Sequence, residues 1–289
     1  MTNRMNQPIR LGDIQFLNSW PVTYALRQGL VAGPVQLCAG TPAQLNRKLL
    51  TGELDASAVS SLLYLRHPEE FVPIPGLCIR SDAGVHSVLV VSYQPLTTLK
   101  GRTIGVSNQG ATTPALLKIL ARHRQLKINL EPTPLRYPEI LREYPAALLI
   151  GDEALQASQS ADGLQWWDLG EAWNLWTGKP FLYALWVVRR TLAEQRPELL
   201  EELKTALESS YQWGRSREAE MIGAMRRIFP FEATFLRKYL QALSYELDDR
   251  AWSGLLRFAR EAEAVEELPR GVARQLVRGR AGQELVLAR

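Results

Sequence analysis

Short apolar segments alternate with helix-forming segments from the start of the chain, and this alternation constrains the fold more than any other feature. The first three strand-like segments cover residues 9–14, 35–39 and 54–59. The helical patterns between them cover residues 20–28 and 42–51. Because strands that alternate with helices usually build parallel sheets, the sequence predicts an α/β fold.

The second of these helices has clear start and stop signals. Thr41 is a good N-cap residue, and Pro42 suits the first helical position because its fixed φ matches the helix. Gly52 is suited to the left-handed conformation that often ends a helix. Ser60 is predicted to cap the next helix in the same way, and Asp248 or Asp249 the helix over residues 249–263.

The alternation restarts after Pro95, which predicts a second α/β unit inserted into the first. Its expected strands cover residues 103–107, 128–132, 146–150 and 164–169. From residue 191 onward the pattern is helical. We therefore expect two lobes and a helical C-terminus. Lobe 1 is residues 1–94 and 187–289, and lobe 2 is residues 95–186. Since ligands bind at the carboxyl ends of parallel strands, we expect a ligand cleft between the lobes.

The apolar run at residues 181–188 is rich in aromatic and β-branched residues, which is typical of a buried strand. It is far shorter than the roughly 18 apolar residues of a membrane helix. We interpret it as the second crossing between the lobes. The N-terminal residues contain no continuous apolar segment with a cleavage site, so we expect a cytoplasmic protein without membrane contact.

Composition disfavours a nucleic-acid partner. The chain has a net charge of +4 and a pI of about 9.1. Its basic residues are scattered among nearly as many acidic ones, without basic runs. The small positive excess favours an anionic small molecule instead.

Residues that could hold a metal or a cofactor are sparse. The three histidines are His67, His86 and His123, and they lack the spacing of metal ligands. Cys38 and Cys78 are isolated and are expected to be free thiols. Glycine-rich nucleotide-binding motifs and the common hydrolase motifs are missing from the sequence. We therefore expect neither a metal nor a cofactor.

Small polar residues recur at predicted strand ends and helix starts. They are Asn18, Ser19, Ser60, Ser61, Ser87, Gly110, Thr112, Thr113 and Asp152. Helix capping alone would explain any single one of them. Their recurrence at one topological location favours a small anion held by hydroxyls and main-chain N–H groups, because helix N-termini bind carboxylates and phosphates.

Each of three further residues has two possible interpretations. His86, beside Ser87, is either a base or a structural residue. Asp152 is either a helix N-cap or a ligand for a substrate hydroxyl. Lys179, in the turn before residue 181, either meets an anion or is simply solvated.

Several segments together resemble one known family. They are IRLGDIQFLNSWPVTYAL, GELDASAVSSLLY, HSVLVVS, LLIGDEAL and DLGEAWNLWTGKPFLYALW, and they extend over nearly the whole chain. The chain resembles the chorismate dehydratases of the futalosine route to menaquinone. That family is a cytoplasmic branch of the group with the type-2 periplasmic-binding-protein fold. The resemblance implies a lyase that converts chorismate, a small dicarboxylate, to 3-[(1-carboxyvinyl)oxy]benzoate without a cofactor.

The resemblance also implies roles for individual residues. Asn18 and Ser87 match the functional Asn and Ser of the family. The positions matching its carboxylate-binding residues are Ser60, Ser61, Thr112 and Thr113. Asp152, from the IGDEAL segment, is a further candidate for substrate binding. The chain departs from the family at Ser19, where Thr is usual, and at Gly110 and Ala111, where a serine and a basic residue are common.

Two rival functions remain. The later cyclase of the same pathway, which forms 1,4-dihydroxy-6-naphthoate, uses a histidine base in the second lobe. His123 is the chain's only histidine in that lobe, and its mid-helix position faces away from the predicted strand ends. The other rival is a cytoplasmic protein that binds a small anion without catalysis.

Overall fold

The computed structural model describes residues 7–107, 110–160 and 163–278. The chain divides into two compact units. The first consists of Met1–Val59, Glu69–Ile79 and Ala184–Gln241. The second consists of Ser60–Pro68, Arg80–Tyr183 and Ala242–Arg289. The lobe bounds expected from the sequence differ from these units, and they stay a prediction.

The strands alternate with helices along most of the described chain. The strands are β1 (Ile9–Asp13), β2 (Val35–Ala39), β3 (Ala56–Ser60), β4 (Phe71–Ser81), β5 (Val88–Ser92), β6 (Thr103–Ser107), β7 (Asn129–Thr133), β8 (Ala147–Ile150), β9 (Gln165–Asp168), β10 (Phe181–Arg189) and β11 (Ser244–Leu247). The predicted α/β class is confirmed.

The helices concentrate toward the C-terminus, as predicted. They are α1 (Trp20–Arg27), α2 (Pro42–Thr51), α3 (Ser61–Arg66), α4 (Thr112–His123), α5 (Ile140–Glu143), α6 (Asp152–Ser158), α7 (Leu169–Thr177), α8 (Arg190–Gln195), α9 (Pro197–Ser216), α10 (Glu218–Met225), α11 (Ala233–Gln241) and α12 (Asp249–Ala264). Within the described ranges, none of these helices combines the length and apolarity needed to cross a membrane.

The first unit is built on a sheet in which β4, β10, β3, β1 and β2 lie side by side in this order. β1 pairs in parallel with β2 and with β3, as the strand–helix alternation predicts. Helix α1 packs against α9, where the rings of Tyr24 and Trp213 lie 5.5 Å apart. Gly214 allows this approach, because a Cβ there would lie 2.9 Å from the Pro21 carbonyl oxygen.

The second unit contains a mixed sheet with the order β7-β6-β8-β5-β9. β6 runs parallel to β7 and β8, whereas β5 runs antiparallel to β8 and β9. Its core is formed by fully buried side chains of β5, β8, α5 and α6. They are Leu89, Val91, Ile140, Ala147, Leu149, Ala154 and Ala157. Buried aliphatic residues of the two strands and the two helices therefore hold the sheet and helices together.

The predicted ends of α2 are confirmed. The Thr41 hydroxyl accepts a hydrogen bond from the Gln44 N–H at 3.3 Å, and the Gln44 side chain returns one to the Thr41 N–H at 3.0 Å. This reciprocal pair is a capping box. Gly52 has a φ of 80°, the left-handed conformation that its position requires. Asp248 caps α12 by accepting from the Ala251 N–H at 2.8 Å.

One local prediction is confirmed only in position, and another is wrong. Ser60 occupies the N-cap position of α3 with an extended backbone, but its hydroxyl makes no capping hydrogen bond within the described chain. The sequence after residue 191 was expected to be helical throughout, whereas Ser244–Leu247 forms the short strand β11. A strand of four residues depends on its pairing partners more than on its own propensity, so sequence patterns miss it.

Candidate functional site

Ser87 lies directly before β5 and directly after a tightly held loop of residues 82–86. Its side chain is buried, with 4% of the residue exposed. Its main-chain carbonyl accepts a hydrogen bond from the Gly151 N–H at 2.8 Å. Among the residues that the structure describes, none forms a hydrogen bond with the Ser87 hydroxyl. A buried hydroxyl of this kind can serve both as donor and as acceptor toward a ligand.

Gly151 and Asp152 lie beside Ser87 because β5 and β8 are antiparallel neighbours, with Val88 opposite Ile150. Gly151 has φ 66° and ψ −135°, a region that residues with a Cβ rarely adopt. Gly151 occupies the N-cap position of α6, and Asp152 is the first helical residue. The interpretation of Asp152 as an N-cap is therefore wrong, while its substrate-binding role stays a prediction.

The pairs Ser60–Ser61 and Thr112–Thr113 also come together. The Leu62 N–H, in the first turn of α3, donates to the Thr112 hydroxyl oxygen at 2.9 Å. The Ser61 hydroxyl donates to the Leu182 carbonyl oxygen. The hydroxyl proton of Ser61 is thus used in a hydrogen bond within the protein. Because Thr112 acts as an acceptor, its own proton remains available to a ligand.

The N-terminus of α4 is suited to bind an anion. Its N-cap residue is Ala111, which has no polar side chain to satisfy the first N–H groups of the helix. Thr112 and Thr113 are buried, whereas Gly110 is exposed, and no atom of the described residues beyond its chain neighbours lies within 4 Å of a Cβ built on it. Residues 108 and 109, which precede Gly110 in the predicted loop, lie outside the described residues. The first N–H groups of α4, which no side chain of the described residues caps, and the helix dipole favour a carboxylate here.

We expect the hydroxyls of Thr112 and Thr113 to contribute differently to stability. Thr112→Val removes the acceptor of the buried Leu62 N–H and should lower the free energy of unfolding by about 1–3 kcal/mol. Thr113 is the matched control, since its hydroxyl has no hydrogen-bond partner in the described part of the chain. Urea denaturation of Thr113→Val should show a change below about 0.5 kcal/mol. Equal losses in both variants would contradict the structural role of Thr112.

Asn18 and Ser19 belong to the first unit, where they lie in a 3-10 turn between β1 and α1. The Ser19 hydroxyl donates to the Ile14 carbonyl oxygen and also lies 2.9 Å from the Phe16 carbonyl oxygen. Ser19 is buried and its carbonyl accepts from the Thr23 hydroxyl at 3.1 Å. These bonds show that Ser19 shapes the turn that carries Asn18.

The remaining candidates have structural contacts. Lys179 donates from its ammonium group to the Ser253 hydroxyl of α12, so at least one of its protons is used within the second unit. His86 is exposed, and its ring lies 5.4 Å from that of Trp166. The His123 ring stacks on Trp176 at a centroid distance of 4.0 Å. Within the described ranges no cluster of His, Cys, Asp and Glu could hold a metal ion.

Asp168 is a buried residue of the site region to which the sequence analysis gave no role. It ends β9 and caps α7 by accepting from the Gly170 and Glu171 N–H groups. The available signal was the DLGEAW segment, in which an aspartate directly precedes a helix. That signal predicts only a cap and none of the contacts that Asp168 makes elsewhere in the chain.

Solved structures identify the fold. The chain is similar to protein AF1704 from Archaeoglobus fulgidus, with a TM-score of 0.78 and 20% identity, over 91% of this chain and 99% of that one. It is also similar to the periplasmic aliphatic sulphonate-binding protein SsuA from Escherichia coli, with a TM-score of 0.65 and 12% identity, over 93% and 91% of the two chains. The predicted periplasmic-binding-protein-like fold is confirmed.

Sequence comparison identifies the family. Residues 9–264 match the menaquinone biosynthesis family, and the chain belongs to it. The chain is 29% identical over 269 residues to a chorismate dehydratase from Thermus thermophilus. The aligned region covers 88% of this chain and 94% of that protein. The menaquinone assignment of the sequence analysis is confirmed.

Proposed function

We propose that this protein is a chorismate dehydratase, a lyase that removes water from chorismate to give 3-[(1-carboxyvinyl)oxy]benzoate. The observation that carries the proposal is the 29% identity to a chorismate dehydratase across 88% of the chain. Membership of the menaquinone biosynthesis family supports an enzyme of the same pathway. The polar groups of the second unit support a dicarboxylate substrate.

The proposed reaction needs orientation more than a strong protein acid or base. The bond between the ring carbon and the hydroxyl oxygen breaks, and the neighbouring ring carbon loses its proton. The electron pair of that C–H bond forms the new double bond, which makes the ring aromatic. The enolpyruvyl carboxylate of the substrate itself takes the ring proton and passes it to the departing hydroxyl, which leaves as water. Correct placement of reacting groups supplies much of such a barrier reduction.

The residues of the second unit have complementary roles in this proposal. The N-terminus of α4, with Thr112, Thr113 and the main-chain N–H of Gly110, holds a substrate carboxylate. Ser60, whose hydroxyl is not used for capping, adds a further donor. Asp152 accepts a hydrogen bond from a substrate hydroxyl, since a carboxylate would repel the carboxylates of chorismate. Ser87 binds the substrate directly through its hydroxyl.

The decisive experiment is incubation of the purified full-length protein with chorismate, followed by chromatography and mass spectrometry. We expect an aromatic product lighter than chorismate by one water. Chorismate binding without conversion would overturn the enzyme and favour a non-catalytic binding protein. A protein that neither binds nor converts chorismate would overturn the proposed substrate.

Asn18→Ala tests the other proposed catalytic residue, which lies in the turn after β1. Loss of one well-placed hydrogen-bond donor typically lowers kcat by about 10²-fold or more, and we expect an effect of this size. Steady-state kinetics and the melting temperature check it together. Asn46→Ala, on α2 of the same unit, is the control and should keep the wild-type kcat. A wild-type kcat for Asn18→Ala would remove Asn18 from the site.

A further inference from the structure

Asp168 is a buried carboxylate with an unusual set of donors. Only 2% of the residue is exposed. Its Oδ1 accepts from the Gly170 N–H at 2.9 Å and the Glu171 N–H at 3.1 Å, which is the cap of α7. Its Oδ2 accepts from the Val85 N–H at 2.7 Å and the His86 N–H at 2.6 Å. One carboxylate thus joins the start of a helix to the loop that directly precedes Ser87.

Capping alone does not explain the second pair of bonds. A helix cap uses one side-chain oxygen and neighbouring N–H groups. Oδ2 of Asp168 instead accepts from main-chain groups 83 and 82 residues earlier in the chain. Asp248 provides the comparison, because it caps α12 through Oδ1 while its Oδ2 accepts from the Arg80 side chain at 3.0 Å. Asp168 holds a segment of main chain next to a candidate catalytic residue, whereas Asp248 does not.

The loop before Ser87 is fixed at further points that agree with this role. The Ser81 hydroxyl donates to the Ala83 carbonyl oxygen and lies 2.9 Å from the Tyr183 hydroxyl. Gly170 packs so closely that a Cβ would lie 2.3 Å from the Tyr183 hydroxyl and 3.1 Å from the Ala83 carbonyl oxygen. The chain therefore passes from Ser81 to Ser87 along a closely supported path.

His86 shows why the loop needs a strong acceptor. Its φ of 57° lies in the left-handed region, which is unfavourable for a residue with a Cβ. Hydrogen bonds from N–H groups to an ionised carboxylate are about twice as strong as neutral ones. The two bonds to Oδ2 offset the backbone cost and set the direction in which the chain enters β5.

We propose that Asp168 is a positioning residue for Ser87. By holding the N–H groups of Val85 and His86, it fixes the main chain at the two residues before Ser87 and so aims the Ser87 hydroxyl at the substrate. The inference rests on the proposed dehydratase function of Ser87. It gives the DLG segment a role beyond starting α7.

Asp168→Ser separates capping from positioning. Serine is a good N-cap residue but is too short to reach the loop as well, so the cap of α7 is retained and the bonds to Oδ2 are lost. Because a misplacement of about 1 Å can cost 10²-fold in rate, we expect kcat to fall about 10- to 100-fold with KM within about threefold of wild type. Asp248→Ser changes the other capping aspartate and removes its bond to Arg80, but it leaves the bonds to the Val85 and His86 N–H groups in place, so kcat should stay within about twofold of wild type.

A double-mutant cycle distinguishes positioning from a general loss of structure. In the Ser87→Ala background, Asp168→Ser should cause no further fall in kcat, because the group that it positions is already missing. Additive losses would overturn the inference, since they would show that Asp168 acts independently of Ser87. A comparable fall in kcat for Asp248→Ser would overturn it as well.

Amide hydrogen exchange tests the loop contact without relying on activity. The Val85 and His86 amides should exchange at least about tenfold faster in Asp168→Ser than in wild type, and Asp248→Ser should leave them unchanged. Unchanged exchange in Asp168→Ser would overturn the positioning role. Faster exchange with wild-type kcat would overturn it too. A wild-type protein that fails to dehydrate chorismate would instead overturn the proposed function, and exchange would still report whether Asp168 holds the loop.

Discussion

Ser87→Ala is expected to lower kcat for chorismate dehydration by about 10²- to 10³-fold, the usual cost of removing one hydrogen-bond donor that acts in the transition state. The fold should be unaffected. The Ser87 hydroxyl has no hydrogen-bond partner among the described residues, so its removal leaves no partner unsatisfied. Product formation measured by chromatography and the melting temperature of the variant check both parts of this result.

Ser92→Ala is the matched control, because Ser92 ends β5, the strand that Ser87 directly precedes, and is also a buried serine. Its hydroxyl donates to the Pro145 carbonyl oxygen at 2.8 Å and accepts from the Gln94 N–H at 2.9 Å. We expect this variant to lose about 1–3 kcal/mol of stability, since two groups lose their partner, while kcat stays at the wild-type value. The opposite result would be a stable Ser92→Ala variant with a lowered kcat and a Ser87→Ala variant with the wild-type kcat. That result would remove Ser87 from the site.

Trp173→Ala is expected to give the largest loss of stability, about 3–5 kcal/mol, as is usual for removing a fully buried aromatic side chain. Trp173 is 0% exposed in the core of the second unit. Its ring lies 5.4 Å from Phe181 and 6.3 Å from Phe258, and its Nε1 donates to the Pro180 carbonyl oxygen at 3.2 Å. Urea denaturation at a fixed temperature measures the loss.

Two further variants keep this prediction testable if Trp173→Ala does not fold. Trp173→Phe retains a ring but loses volume and the bond to Pro180, and we expect an intermediate loss of about 1–3 kcal/mol. Leu175→Ala, on the same helix at a residue that is 76% exposed, should change stability by less than about 0.5 kcal/mol. Equal effects at Trp173 and Leu175 would contradict the assignment of this core.

The elements that the sequence predicts well are those whose signals are local. Thr41, Pro42 and Gly52 lie within one helix and its two ends, and the structure has a capping box and a left-handed glycine there. The alternation of strands and helices likewise predicts the parallel pairing of β1 with β2. Periodicity and capping are properties of adjacent residues, so they can be recognised without knowing the fold.

The site was less predictable because its contacts join distant parts of the chain. Capping preference suggested the same role for Ser60, Ser61 and Thr112. The structure instead engages Ser61 with the Leu182 carbonyl oxygen and Thr112 with the Leu62 N–H. The second oxygen of Asp168 meets residues more than eighty positions away. Side-chain partners of this kind are set by tertiary packing, which single-sequence patterns do not contain.

The reversed direction of β5 has a consequence for how the chain tolerates length changes. Ser87 reaches the edge where β6 and β8 end only because β5 starts at that edge, with Val88 opposite Ile150. Side chains of a strand alternate between the two faces of the sheet. If one residue within β5 were deleted and the rest of the strand kept its pairing with β8, Ser87 would therefore turn to the opposite face. A deletion of two residues would restore the face but move Ser87 by about 7 Å along the sheet. The proposed site therefore depends on the length of β5 as well as on the identity of its residues.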